Sequence, residues 1–331
     1  MIRKTASTLM VLGILCVGLP AMAVPFMGNW EGNLYVDGAP EADAIARVIG
    51  TGNDTYVVQL ELSRDQYSFQ GELSGMKRNN AAVFAGHIDM GSQLGGVYTV
   101  TLEVVEGHPM TGILRGEAGD DIKLELNKVY KQPPNLGAEP PEDAIVLFDG
   151  TDMDEWNLHP GNIRGGAMQV TSNHFVSKRE FGDHTLHLEF ATPYMPQYPP
   201  GSQARGNSGL YMQGRYEIQI LDSFGEAPAD NFCGGVYQIA APLSNPSLPP
   251  NEWQTYRVEF RAPRFNDAGE KIENARMTVY HNGVLTHDDL ELPHPTGGAL
   301  GEEVPEGPIF LQDHGGDPVR FRNIWVVPLD E

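Results

Sequence analysis

Along most of this chain apolar and polar residues alternate with a period of two, in short runs that stop at Gly, Pro, Asn or Asp. That period places successive side chains on opposite faces of a strand, so the pattern predicts an all-β protein. The first group of runs covers residues 29–36, 55–62, 67–73, 81–88, 97–105, 111–115 and 122–130. It reads as a meander of about seven or eight strands that closes into a small barrel or folds as a sandwich. Periodicity then fails over the proline-rich stretch QPPNLGAEPP, residues 132–141, the natural linker. Alternation returns at residues 144–149, 167–170, 184–190, 209–221, 235–240, 253–261, 275–281, 309–313 and 319–327. Asn282-Gly283 marks a hairpin, and the run from Asn266 to Gly269 marks another turn. Long loops at 192–206, 222–234, 241–251 and 293–308 separate these strands, and loops of that length usually form functional rims. A two-sheet, jelly-roll-like sandwich with one polar face fits this second group. No long amphipathic helix is predicted anywhere.

Composition adds where the chain works. Arg3 and Lys4, the apolar run 9–19 and Ala21-Met22-Ala23 read as a secretory signal cut after Ala23. The apolar run is too short to span a membrane, and no later one reaches spanning length. Leu15 before Cys16 does not suit a lipoprotein signal. The expected organisation is therefore a signal at 1–23, a small β-rich accessory domain at 24–131, a linker at 132–143 and a sandwich at 144–331. The protein is expected to be exported, to the periplasm or outside the cell. Of the 2 cysteines only Cys233 lies beyond the signal, so no intramolecular disulfide is expected. Cys233 reads as a small buried residue more readily than as a nucleophile. A formal charge of −22 disfavours nucleic acid and anionic membranes as partners.

The candidate chemistry centres on RGNSGLYMQGRYEIQILD, residues 205–222. In one strand Arg215, Glu217 and Gln219 would share a face while Tyr216, Ile218 and Ile220 pack behind. Glu217 is then the first candidate for a catalytic acid or base, with Arg215 expected to keep it ionised. An ordinary ion pair on an exposed sheet would give the same pattern. Asn207, Arg215, Gln219 and Gln312 are candidates to hold substrate hydroxyls. Tyr211, Tyr237 and Trp253 either stack on a sugar or belong to the core. The run Gln312-Asp313-His314-Gly315-Gly316 ends a strand at a glycine turn. His314 suits proton transfer there and Asp313 could orient it or bind a cation, unless the turn merely ends the strand. His184, His187 and Glu189 could hold a metal, although His184 falls on the other face, and a divalent cation such as Ca²⁺ at a carboxylate rim is a further option. No cofactor follows firmly from these residues, and neither does an oligomeric state.

Five motifs in order, LFDGTDMDEW, GNSGLYMQGRYEIQILDSFG, EWQTYRVEFRAPRFNDAGE, ARMTVYHNGV and GPIFLQDHGGDPVRFRNIWVVPL, resemble the 3-keto-disaccharide hydrolase domain family over about residues 144–329. The resemblance implies a concanavalin A-like jelly roll that cleaves glycosides whose sugar is oxidised at C3. A C3 ketone acidifies the C2 proton, so a base can remove it and the enolate can expel the C1 substituent before water adds. Such a site needs a base, a donor to the enolate oxygen and an acid for the leaving group. Glu217 and His314 are the expected proton-transfer pair. Retaining glucanases of similar fold carry two carboxylates four residues apart on this strand. Here position 221 is Leu221 and Asp222 should face away, which weakens direct hydrolysis of unoxidised glycosides. A carbohydrate-binding protein without turnover also fits.

Overall fold

The computed structural model describes residues 24–91, 96–117, 119, 121–157, 163–170 and 173–329. The export signal read at 1–23, with Cys16, lies outside the described residues. All regular structure among the described residues is β. The N-terminal strands are β1 (Gly28–Val36), β2 (Ala39–Gly52), β3 (Thr55–Arg64), β4 (Tyr67–Arg78), β5 (Ala81–Asp89), β6 (Val97–Val105), β7 (Met110–Arg115) and β8 (Asp121–Val129). Each pairs antiparallel with the next, and β8 returns to β1 to close a barrel. Tight turns at Asp37-Gly38, Asn53-Asp54, Asp65 and Asn79 take positive φ, which Asn, Asp and Gly tolerate best. Strand β2 was not among the predicted runs. Its inward positions include Ala44 and Ala46, which fill little space and lack strand propensity. Trp30, Val58, Leu73, Phe84, Leu102, Leu114 and Leu126 join them in one interior cluster. The barrel is therefore filled by its own side chains.

The remaining strands are β9 (Ile145–Phe148), β10 (Ile163–Arg164), β11 (Ala167–Gln169), β12 (Phe175–Phe181), β13 (His184–Ala191), β14 (Ser208–Met212), β15 (Tyr216–Ile220), β16 (Gln254–Arg261), β17 (Arg264–Phe265), β18 (Lys271–Glu273), β19 (Ala275–His281), β20 (Val284–Leu292), β21 (Gly307–Leu311) and β22 (Arg320–Pro328). An eight-stranded sheet runs β10-β11-β22-β13-β16-β19-β20, with β9 also on β22, and a four-stranded sheet runs β12-β21-β14-β15. Their inner faces share one core, to which Leu188, Tyr256 and Val258 come from the large sheet and Leu210, Ile218 and Ile309 from the small one. Two sheets around one apolar layer is what alternation on both sides requires. Cys233 is buried in that layer, beside the Tyr256 hydroxyl at 3.3 Å.

Two predicted elements differ. Residues 209–221 are not one strand but the hairpin β14–β15, turning at Gln213 and Gly214, both at positive φ. Residues 235–240 contribute only isolated bridges, of which Val236 to Ile218 extends the edge of β15. The proline-rich connection is not loose either. Gly137 N–H and the Ala138 carbonyl bond Glu189 and Asn323, and Asn135 accepts from Thr255, so the segment is strapped to the large sheet.

Barrel and sandwich are also joined directly. Phe224, from the loop after β15, is buried in the barrel's apolar cluster. Arg205 Nε pairs with Asp222 at 2.7 Å, and its Nη1 donates to the Gly50 carbonyl of β2 at 2.7 Å. Both charged side chains are buried. Asn53 N–H to the Pro196 carbonyl and Gln59 to the Gly225 carbonyl complete the junction.

Candidate functional site

The outer face of the small sheet carries the polar residues. Because Tyr216, Ile218 and Ile220 point into the core, Glu217 and Gln219 point outward from β15. Tyr211 lies directly across from Glu217, and Gly209 across from Gln219. A side chain at Gly209 would overlap the Glu217 carboxyl oxygen, so this glycine makes the room the carboxyl occupies. Just past the end of the neighbouring strand β21, Gln312 Nε2 donates to the Tyr211 hydroxyl at 3.1 Å. Phe310 lies against Tyr211 with ring centroids 4.6 Å apart, and His174 sits edge-on to Phe310 at 5.0 Å.

Glu217 is only 2% exposed. Burial pushes its carboxyl up to about 7, while the hydrogen bond from Tyr211 pulls the other way and loses. Burial, and then the Glu217 carboxyl, push the Tyr211 phenol well above its ordinary value. A turn of residues 296–299 covers the pair. Thr296 Oγ1 accepts the Glu217 N–H at 2.9 Å, and the Gly297 carbonyl accepts from the Tyr211 hydroxyl at 2.9 Å. Gly298, at φ +80°, lies so close that a Cβ there would stand 2.6 Å from that hydroxyl.

The other predicted residues are distributed unevenly. Arg215 does not flank Glu217. It sits in the hairpin turn, where it donates to the Glu302 carbonyl at 2.8 Å and the Gln213 carbonyl at 2.8 Å. It therefore does not keep Glu217 ionised; desolvation decides that carboxyl instead. Asn207 and Gln219 converge on Gln203, at 3.1 and 3.4 Å from its Oε1, and the buried Asn207 Oδ1 has no partner. Tyr237 is half-buried beside Gly297. Asp313 is half-buried at the end of β21 and accepts the Gly316 N–H, closing the glycine turn, while His314 is exposed. The group that meets Glu217 is thus Tyr211, not His314 or Asp313.

Sequence reasoning missed Tyr211 as a partner and His174 altogether. The Gln213-Gly214 turn was the available signal for Tyr211, since folding there pairs positions 211 and 217. Nothing local marks His174. It accepts the Asp313 N–H through Nδ1 at 2.9 Å, which leaves the ring proton on Nε2. At the other predicted positions, Glu189 is taken up by Arg322 at 2.6 Å and Asn323 at 3.0 Å, and against burial its carboxyl is held down at about 2 by His187 first, then Asn323, the Gly137 N–H and Arg322. Among the described residues no group of three or more His, Cys, Asp or Glu side chains is placed to hold a metal ion. Trp253 carries Arg322 and Arg320 over its ring at 4.1 and 5.2 Å, rather than an open face. His281 is buried and bonds Gln254 at 2.9 Å.

With this geometry in view, the profile of the 3-keto-alpha-glucoside-1,2-lyase-like domain matches residues 143–327, more than half of the chain. The chain belongs to that family. A solved structure of a presumed glycosyl hydrolase from Parabacteroides distasonis is 33% identical, with a TM-score of 0.52 over 57% of this chain and 84% of that one. Another from the same organism is 16% identical, with a TM-score of 0.40 over 58% of this chain and 99% of that one, too distant to argue from. The comparison with curated proteins found no match. Family and fold together make this a carbohydrate-active, hydrolase-like protein.

Proposed function

We propose that the outer face of the small sheet cleaves 3-keto-glycosides by elimination, with Glu217 as the base. One observation carries the reading: in a chain of this family, the carboxyl at the middle of strand β15 is buried, aimed away from the core and pushed up to about 7. A base whose affinity for protons matches neutral pH transfers them most effectively. Glu217 takes the C2 proton, and the C–H electron pair moves to form an enolate on the C3 oxygen. Gln312 is the amide available to stabilise that oxygen. Collapse of the enolate breaks the C1–O bond. The leaving oxygen takes one proton from a rim histidine, either His174, whose ring the Asp313 N–H holds, or the exposed His314, and water then adds across C1 and C2, giving net hydrolysis. Asn207, Gln219 and Tyr237 contact the remaining hydroxyls. The concanavalin A-like jelly roll implied by the motifs suits the two-sheet core, and export to the periplasm or beyond suits a glycan substrate.

The test compares a disaccharide oxidised at C3 with its unoxidised form, with and without chelator. Turnover of the oxidised sugar alone is expected, and Glu217→Gln should lower it by about 10² to 10⁴. Equal turnover by a folded Glu217→Gln would remove the base assignment. Two-carboxylate hydrolysis of the plain sugar is disfavoured because the residue across from Glu217 is Tyr211, not an acid. Binding without any turnover, read by calorimetry, would instead support a lectin-like role, which the nearly closed cover over Glu217 favours.

A further inference from the structure

A second cleft lies where the barrel meets the sandwich, and it shares no residue with the Glu217 face. Its volume is about 270 Å³. That is near the small end of the ~300–1,000 Å³ that ligand sites usually span, and domain junctions are where such sites concentrate. One wall is the outer face of the barrel. Trp30 points into the barrel core, so Asn29 beside it on β1 points out, with Arg47 directly across on β2. The facing wall is made by Gly225 and Glu226 after β15, by Leu248, and by Val284 at the start of β20. Asn29 is only 4% exposed, yet among the described residues its side-chain amide has no hydrogen-bond partner. A buried amide left open in this way is normally matched by water or by a ligand.

The walls are fixed before any guest arrives. Gln59 Nε2 donates to the Gly225 carbonyl at 3.1 Å, and a side chain at Gly225, at φ +83°, would overlap Ile49 of β2. Glycine there lets the loop lie on the barrel. Asn245 Nδ2 donates to the Ser223 and Glu226 carbonyls at 2.8 and 2.9 Å, and Asn282 Nδ2 to the Pro246 carbonyl at 2.9 Å. Those amides hold the frame, whereas the Asn29 amide stays open to the cleft. Rigid walls spare a ligand the cost of ordering them. We propose that this cleft binds one ring of a neutral saccharide, as a binding subsite in which no bond is made or broken. The lining selects that class. Asn29 both donates and accepts, the half-buried Glu226 carboxyl accepts, and Arg47 keeps N–H groups beyond the one it gives Gln59 at 3.4 Å. Leu248 and Val284 offer apolar surface to the C–H face of a ring. A metal ion would find one carboxylate where it needs six or so oxygen ligands. An anion would meet Glu226, and Lys131 at the rim is already turned to Glu31 at 3.7 Å.

The subsite is independent of what happens at Glu217, and its test reads the two places separately. The whole protein is titrated with glucose, maltose and cellobiose, all unoxidised, up to tens of millimolar, and followed by ¹H–¹⁵N NMR. The Asn29 carboxamide and the backbone amides of residues 224–226 and 247–248 should shift and saturate with at least one of these sugars. Asn29→Leu and Glu226→Ala should each weaken that binding by about tenfold, the loss of one good hydrogen bond, without slowing turnover of an oxidised disaccharide. Glu226 is half-buried and bears no part of the core, so its variant keeps the test open if Asn29→Leu fails to fold. Shifts confined to residues 209–219, or none at the cleft with any sugar, overturn the proposal. So does saturation by inorganic sulfate but by no sugar, or binding at the cleft that is equally tight in a folded variant.

Discussion

At the scale of single residues, burial decides the chemistry of Glu217 more than any charged neighbour does. Its carboxyl titrates near 7 when folded and near the ordinary 4.5 when unfolded, so the folded state binds the extra proton between those values. Stability from this group is complete below about pH 4.5 and falls as pH rises through about 7. Relative to Glu217→Gln, the parent should lose about 3 kcal/mol across that window, measured by urea unfolding at each pH. The comparison with the variant is needed because buried His184 and His281, held down at about 4 and about 3, lose stability in the opposite direction as pH falls. Turnover should rise through about pH 7 as Glu217 loses its proton. Since Tyr211 favours the carboxylate, Tyr211→Phe should move that limb to higher pH in a profile of kcat/KM. The position of Glu217 on an outward face was legible from alternation. Its partner was not, because Tyr211 also alternates like a core aromatic, and only the strand pairing distinguishes the two.

At the scale of elements, the β14–β15 hairpin is the unit that makes the site. Its turn at Gln213 and Gly214 brings Tyr211 against Glu217 and lifts Arg215 out of the face where a single strand would have put it. Gly209 is the small residue that lets the carboxyl lie across β14. Gly209→Ala should leave the hairpin paired yet displace the carboxyl toward solvent, since the methyl needs the space of its oxygen. The expected result is a fall in turnover of about tenfold or more with the acid limb moved back toward pH 4.5, as regained hydration favours the charged form. An unchanged pH profile with a well-folded spectrum would contradict that account. The glycine turn after Gln312 was also legible, but not its separation from Glu217. That separation follows from β14 lying between β21 and β15.

At the scale of the whole molecule, the barrel braces the loops that flank the site. Arg205 and Asp222 bracket the hairpin in sequence, and their buried pair reaches across to Gly50, while Phe224 enters the barrel's cluster. Burial still pushes the Asp222 carboxyl up despite its partner, so an unpaired carboxylate there would be costly. Arg205→Met should destabilise by about 3–5 kcal/mol in urea unfolding, and Arg205→Met with Asp222→Leu by clearly less, because the second change removes the stranded charge. Phe224→Ala should cost about 3–5 kcal/mol by emptying its place in the barrel. The sequence by itself determined the all-β class, the two alternating groups and the outward face of Glu217, because a period of two is a local property of the backbone. Tertiary structure decided that the first group closes as a filled barrel and that the proline-rich segment is strapped down. It also decided that Tyr211, Gln312 and Gly297 meet over Glu217. Those outcomes depend on pairing and desolvation between residues far apart in the chain, and no local pattern records them.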